Sequence, residues 1–187
     1  MKNKIALGIL IFVLGLTSCD ENTYPRPKGD VRLEYPDAKY SLLESDSINF
    51  SFEKSNQAKT IYKNQDWVDL LYPKMKATLH LTNKKIDNNS DALLKDIQEL
   101  TYKHTIKASG IIENPYHNEN NNTDGMLYEL TGDAASNIQF YIKDNKQNIL
   151  SGALYFYAEP NSDSLAPAVA HIKKDVIMLM ESISWKN

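Results

Sequence analysis

The pattern of apolar positions along the chain switches repeatedly between a period of two and a period of three to four. Ile48, Phe50 and Phe52 alternate with Asn49, Ser51 and Glu53, which predicts a half-buried strand. Thr60-Ile61-Tyr62 reads as a short second strand. Asp66 is placed to cap a helix through Trp67-Val68-Asp69-Leu70-Leu71-Tyr72, stopped by Pro73. Ala77, Leu79 and Leu81 restore the alternation. Ser90 then caps a helix whose stripe is Leu93, Leu94, Ile97 and Leu100. Residues 114–125 hold Pro115, an Asn-rich run and Asp124-Gly125, and read as a loop. Met126–Leu130 is a strand broken by Gly132-Asp133. Ile138, Phe140 and Ile142 form the next strand, Lys143–Asn148 a turn, and Ile149–Tyr157 the longest strand candidate. A last helix opens at Ser162–Ser164, with Leu165, Val169, Ile172, Val176, Leu179, Met180 and Ile183 on one stripe. On that stripe Ile172→Asp is expected to unfold the domain, whereas Lys173→Asp is expected to cost within roughly 0.5 kcal/mol. The order ββαβα, loop, βββα predicts an α+β fold, an antiparallel or mixed sheet with packed helices.

The first residues obey a different pattern. Lys2 and Lys4 precede an apolar run from Ile5 to Leu16, too short for the roughly 20 residues of a membrane span but right for a signal peptide core. Leu16-Thr17-Ser18-Cys19 follows, then Asp20-Glu21. An aliphatic residue, two small residues and a cysteine resemble a bacterial lipobox, in which the thiol takes a diacylglycerol and the small residues admit the peptidase. Cys19 is thus the expected lipid attachment site, and residues 1–18 a signal peptide. Residues 19–30 read as a tether, because Tyr24-Pro25-Arg26-Pro27-Lys28-Gly29 cannot be helical. A polyproline-like arm of this length reaches roughly 30–40 Å. A single domain over 31–187 is expected beyond it.

Composition narrows the picture. The 187 residues carry 21 Lys plus Arg and 24 Asp plus Glu, a net charge of -3. Losing Lys2 and Lys4 with the signal peptide makes that -5. No basic surface for nucleic acid is implied. A single cysteine excludes a disulfide framework and a cysteine-built zinc site. The mean hydropathy of -0.48 excludes a polytopic membrane protein.

Catalytic and metal signals are missing. His80, His104, His117 and His171 share no metal-ligand spacing, and HExxH, GxSxG, GxGxxG and the P-loop pattern do not occur. No cofactor, metal or catalytic residue is implied. His171 and Asp175, one helical turn apart, are expected to form a surface pair. His104 continues the stripe of Ile97 and Leu100, as a packing residue or as a partner contact. Tyr141, Tyr155 and Tyr157 fall where they share one sheet face. That face is either a second hydrophobic surface under a helix or a platform for a ligand or glycan. Finally, the chain has 19 lysines but two arginines, Arg26 and Arg32, both in or beside the arm. With Tyr24, Pro25, Pro27, Lys28 and Tyr35 they form a candidate partner-contact segment, since arginine makes bidentate bonds that lysine does not.

Several segments stand in a specific order and spacing: Pro25-Arg26-Pro27-Lys28-Gly29 with Arg32 and Pro36, Tyr102-Lys103-His104-Thr105, Leu127-Tyr128-Glu129-Leu130, Gly132-Asp133-Ala134-Ala135-Ser136, Gly152-Ala153-Leu154-Tyr155-Phe156, Pro160–Pro167 and Trp185-Lys186. In them the chain resembles the gliding motility lipoprotein GldD family. The resemblance implies a non-enzymatic lipoprotein of the gliding machinery, linked to type IX secretion. Its partners would be other gliding and secretion proteins, and a palmitate-bearing anchor would hold it to a membrane. The expected location is the cell envelope, facing the periplasm, on the outer rather than the inner membrane. A periplasmic ligand- or glycan-binding module is the alternative. The closing hairpin and helix also resemble the α-β-α sandwich of PsbP-like proteins, a likeness of fold that carries no function.

Overall fold

The structure, a computed structural model, describes residues 35–103, 108–157 and 162–186. The expected signal peptide, Cys19, the expected arm with Arg26 and Arg32, and His104 lie outside the described residues. In chain order the elements are β1 (Tyr40–Leu43), β2 (Phe50–Ser55), β3 (Lys59–Asn64), β4 (Trp67–Tyr72), a 3-10 turn (Pro73–Met75), β5 (Ala77–Lys85), α1 (Ser90–Lys103), β6 (Ala108–Asn118), β7 (Thr123–Gly132), β8 (Ser136–Asp144), β9 (Asn148–Phe156), α2 (Ser162–Ser182) and β10 (Ser184–Trp185). Seven strands form an antiparallel sheet in the order β3-β4-β5-β9-β8-β7-β6, and β1-β2-β10 form a second, antiparallel sheet of three. The α+β expectation holds, with a helix on either side of the large sheet.

One face of the large sheet is the core. The register sets Val68 beside Leu81, Leu70 beside Leu79, Leu79 beside Leu154, Leu154 beside Ile138 and Phe140 beside Leu127, so the alternation in each strand lands on a common surface. These side chains are buried in one cluster with Ile48 just before β2, with Phe50 and Phe52 of the small sheet, and with Ile172, Val176, Leu179 and Met180 of α2. Gly152 keeps that face continuous. It stands opposite Phe140, whose ring lies where a Cβ would sit, 2.2 Å from its position.

Three predicted segments differ from the structure. Trp67–Tyr72 is strand β4, not a helix. Six residues do not distinguish the two periods, and Asp66 serves a hairpin turn. Its N–H donates to Asn64 Oδ1, and its carboxylate accepts from Asn83 Nδ2. Within 114–125 only residues 119–122 form the expected turn, while 114–118 and 123–125 are the paired ends of β6 and β7. Pro115 is tolerated because β6 is an edge strand, where a missing donor costs no ladder bond. The asparagines near the turn cap a helix. Asn118 and Asn121 donate to Glu181 O, and the Tyr116 hydroxyl donates to Met180 O, which satisfies carbonyls at the end of α2. His171 and Asp175 do not pair. His171 Nε2 meets Gln57 Oε1, while buried Asp175 accepts from the Tyr40 hydroxyl at 2.8 Å.

Lys173 also departs from expectation. Its ammonium lies 2.7 Å from Glu129 on β7, and both are largely covered, so it ties α2 to the large sheet. Lys174 is the exposed lysine of that turn.

Burial holds several phenols protonated. The Tyr128 hydroxyl is pushed up to about 12, by desolvation first and then by neighbours including Tyr141. Tyr40 and Tyr72 are raised by burial and then by Asp175. An unfolded chain releases these protons near pH 10, while the native chain keeps them. Stability present below pH 10 is therefore lost as pH rises above it, at about 1.4 kcal/mol per pH unit for each phenol fully retained. Urea midpoints measured between pH 9 and pH 12 should stay level and then fall. A flat profile would show that the phenols titrate freely.

Candidate docking site

Of the predicted contact residues, Tyr35 is the one described. Its ring packs on the edge of the core, 5.0 Å from the His171 ring, and burial raises its pKa. The next residues are fastened to the β2–β3 turn. Gln57 Nε2 donates to Pro36 O at 2.7 Å, Asn56 N–H donates to Lys39 O at 2.8 Å, and Lys39 N–H donates to Asn56 Oδ1 at 3.3 Å. The chain that follows the arm is thus held to the domain before β1 begins.

A groove of about 560 Å³ opens at this point. Its walls are Pro36–Lys39, the β2–β3 turn and the 3-10 turn after β4. Pro73 supplies no backbone donor there, so β4 ends and the chain tightens. Lys76 then takes the left-handed conformation, φ 50°, and reverses the chain into β5. Three exposed lysines, Lys39, Lys59 and Lys74, border the groove against one acid, Asp37, and Met75 is part of its apolar lining. None of the three lysines forms an ion pair among the described residues. The groove offers apolar lining and free ammonium groups, which suits carboxylates carried on a partner's surface. Sequence reasoning missed these lysines. Each is one of 19, and they come from three separate segments.

The tyrosine-bearing face lies on the other side of the large sheet. Tyr141 and Tyr155 both point there, flanking Ser151 and Ala153 in the register. Tyr157 is 67% exposed just past β9, its hydroxyl sharing a 2.6 Å bond with Thr78 Oγ1. Helix α1 lies over part of this face. Thr101 reaches Gln139, the Tyr102 hydroxyl bonds Glu113, and Tyr128 is buried. Leu100 of the same helix is 53% exposed, so the cover is partial. A helix covers the β7–β8 side of this face, as one of the two sequence readings expects, and leaves the His80–Tyr155 side half open.

Among the described residues no group of His, Cys, Asp or Glu is placed to hold a metal ion, and no helix is long and apolar enough to cross a membrane. An α+β domain with a basic groove where its leading segment is fastened belongs to the class of binding modules. The model of the family described as gliding motility lipoprotein GldD matches residues 20–185, and the chain belongs to that family. No curated protein matches it. The protein is accordingly a lipid-anchored cell-envelope component of the gliding motility machinery, linked to type IX secretion. It acts through protein partners and is not an enzyme.

Proposed function

We propose that the basic groove between Pro36–Lys39, the β2–β3 turn and the 3-10 turn receives an acidic surface of a partner in the gliding and secretion apparatus. In this reading the arm before it sets distance from the membrane and adds Arg26 and Arg32 to the same contact. The observation that carries the reading is the meeting of three unpaired lysines at the point where the arm-bearing chain is fastened to the domain. Residues 1–18 are a signal peptide, Cys19 the lipidated residue, 19–30 the tether and 31–187 the domain. The outer membrane, with the domain facing the periplasm, is the location. The helix on each side of an antiparallel sheet supports the PsbP-like α-β-α sandwich as the fold type.

Charge reversal tests the docking reading. The triple variant Lys39→Glu, Lys59→Glu, Lys74→Glu and the double variant Arg26→Glu, Arg32→Glu should each abolish gliding. Thermal stability and membrane fractionation should match the parent. Removing a buried charge-assisted bond from an interface costs roughly 2–5 kcal/mol of affinity. Normal gliding by the triple variant would refute the groove, and normal gliding by the double variant would make the arm a spacer.

The anchor has its own test. Cys19→Ala should carry no label after growth with a palmitate analogue and should keep its apolar run from Ile5 to Leu16 uncleaved, an anchor too short for a stable span. Label persisting on the variant would place the lipid elsewhere.

A further inference from the structure

The half-open side of the tyrosine-bearing face has the parts of a built site. Asp69 of β4, its side chain 8% exposed, fixes the ring of His80 on the neighbouring β5. His80 Nδ1 lies 2.7 Å from Asp69 Oδ1, Trp67 Nε1 donates to the same oxygen at 2.9 Å, and Lys63 stands 3.7 Å from the other oxygen. With Nδ1 engaged, Nε2 is the ring atom left to a ligand, and among the described residues it has no partner.

Two strands away, Gln139 is 4% exposed and has an amide nitrogen with no partner. Its oxygen is met by Thr101 Oγ1, which also approaches Ile97 O. A threonine hydroxyl has one proton, so it cannot donate to both. Whichever way the amide is turned, one of its polar atoms is left over. Burying such an atom unpaired is costly, which marks it as a position for a ligand that donates or accepts.

Between His80 and Gln139 the register places Ala153, paired with both. Its side chain is a single methyl, which leaves a groove of about 210 Å³, bounded by Thr82 and Ser151 on the sheet, Ile97 and Leu100 on α1, and Tyr155. The volume is below the roughly 300–1,000 Å³ of sites for drug-sized ligands, so it suits one ring. The sheet supplies most of the polar groups, in His80, Thr82, Gln139 and Ser151, while the helix supplies the apolar carbons of Ile97 and Leu100 beside the Thr101 hydroxyl. A hydroxyl both donates and accepts, and so satisfies Gln139 in either orientation and His80 Nε2 as well. A ring with hydroxyls around its rim and C–H bonds on its faces fits this division.

We propose that this groove binds a single pyranose ring, as a free sugar or as the exposed unit of a glycan. The site is separate from the docking groove and does not depend on it. The test uses the full-length chain in a detergent without a sugar headgroup, titrated with D-glucose, D-mannose and N-acetyl-D-glucosamine and with a trisaccharide of each. The readouts are the side-chain amide resonances of Gln139 and the ring resonances of His80. At least one sugar should shift both saturably. A trisaccharide at least tenfold tighter than its monosaccharide would assign the source as a glycan, and equal affinity a free sugar.

Gln139→Leu removes the left-over polar atom without orphaning Thr101, which keeps Ile97 O. Ala153→Leu fills the groove from a position already partly exposed. Both variants should fold, as read by circular dichroism, and bind at least tenfold more weakly. Absence of any saturable shift up to 50 mM, roughly an order of magnitude above weak millimolar binding, would leave a water-filled notch and overturn the proposal. Undiminished binding by Ala153→Leu would overturn it too.

Discussion

Ile172→Asp should abolish the cooperative unfolding transition of the domain. Ile172 is fully buried in the middle of α2, within the cluster that joins the helix to both sheets. A carboxylate there has no cation to pair with and no water to solvate it. The cost falls in the range above roughly 4–5 kcal/mol, reserved for mutations that bury an unpaired charge. Total stability of a domain this size is about 5–15 kcal/mol, so little native protein should remain at ambient temperature. The neighbours grade the effect. Lys174→Asp, on the exposed side, should stay within roughly 0.5 kcal/mol. Lys173→Asp should lie between, at about 1–2 kcal/mol, because it exchanges a part-buried ion pair with Glu129 for two adjacent carboxylates. Urea unfolding of the full-length protein followed by circular dichroism orders the three. Equal loss from Ile172→Asp and Lys174→Asp would mean that α2 presents a different face.

Asp175→Ala should cost about 1–3 kcal/mol, although the sequence reading sets the residue on the surface in a pair with His171. Asp175 is 4% exposed and accepts the Tyr40 hydroxyl, and Tyr72, buried beside it, keeps its proton through desolvation and the charge of Asp175. Truncation leaves the Tyr40 hydroxyl without its acceptor and removes the charge beside buried Tyr72, and an unsatisfied group costs roughly 1–3 kcal/mol. Asp175→Asn keeps an acceptor and should lose less than half as much. Tyrosine ionisation followed by ultraviolet absorbance should show phenol titrations moving down toward 10 in Asp175→Ala as the charge is removed. Wild-type stability in Asp175→Ala would relegate the tyrosines to bystanders.

The sequence made the core strands and α2 legible because alternation and the three-four stripe are properties of neighbouring residues. Phe50 and Phe52, Leu79 and Leu81, and Ile138, Phe140 and Ile142 face inward as their spacing requires. Where tertiary partners decide, local pattern fails. Trp67–Tyr72 has too few residues to show a period, and its hairpin depends on Asp66 meeting Asn83. The asparagines of residues 118–122 look like a loop until the end of α2 supplies the carbonyls they bind. The groove lysines and the Asp69–His80–Gln139 arrangement were illegible for the same reason. They come together through register across strands, and none carries a local motif. The expected anchor at Cys19, outside the described residues, rests on a linear signal instead, a run of apolar residues before one cysteine.

The pairing of β10 with β2 bears on how such a protein is made outside the cytoplasm. Ser184–Trp185 supplies an edge of the small sheet begun at Tyr40, and Trp185 Nε1 bonds Asn83 of the large sheet. A chain that has crossed the membrane only as far as Ile183 therefore lacks the strand that covers β2 and the tie between the two sheets. The contact of β10 with β2 can form only once Trp185 has crossed. Export of an unfolded thread and late closure of the globule are thus compatible by topology.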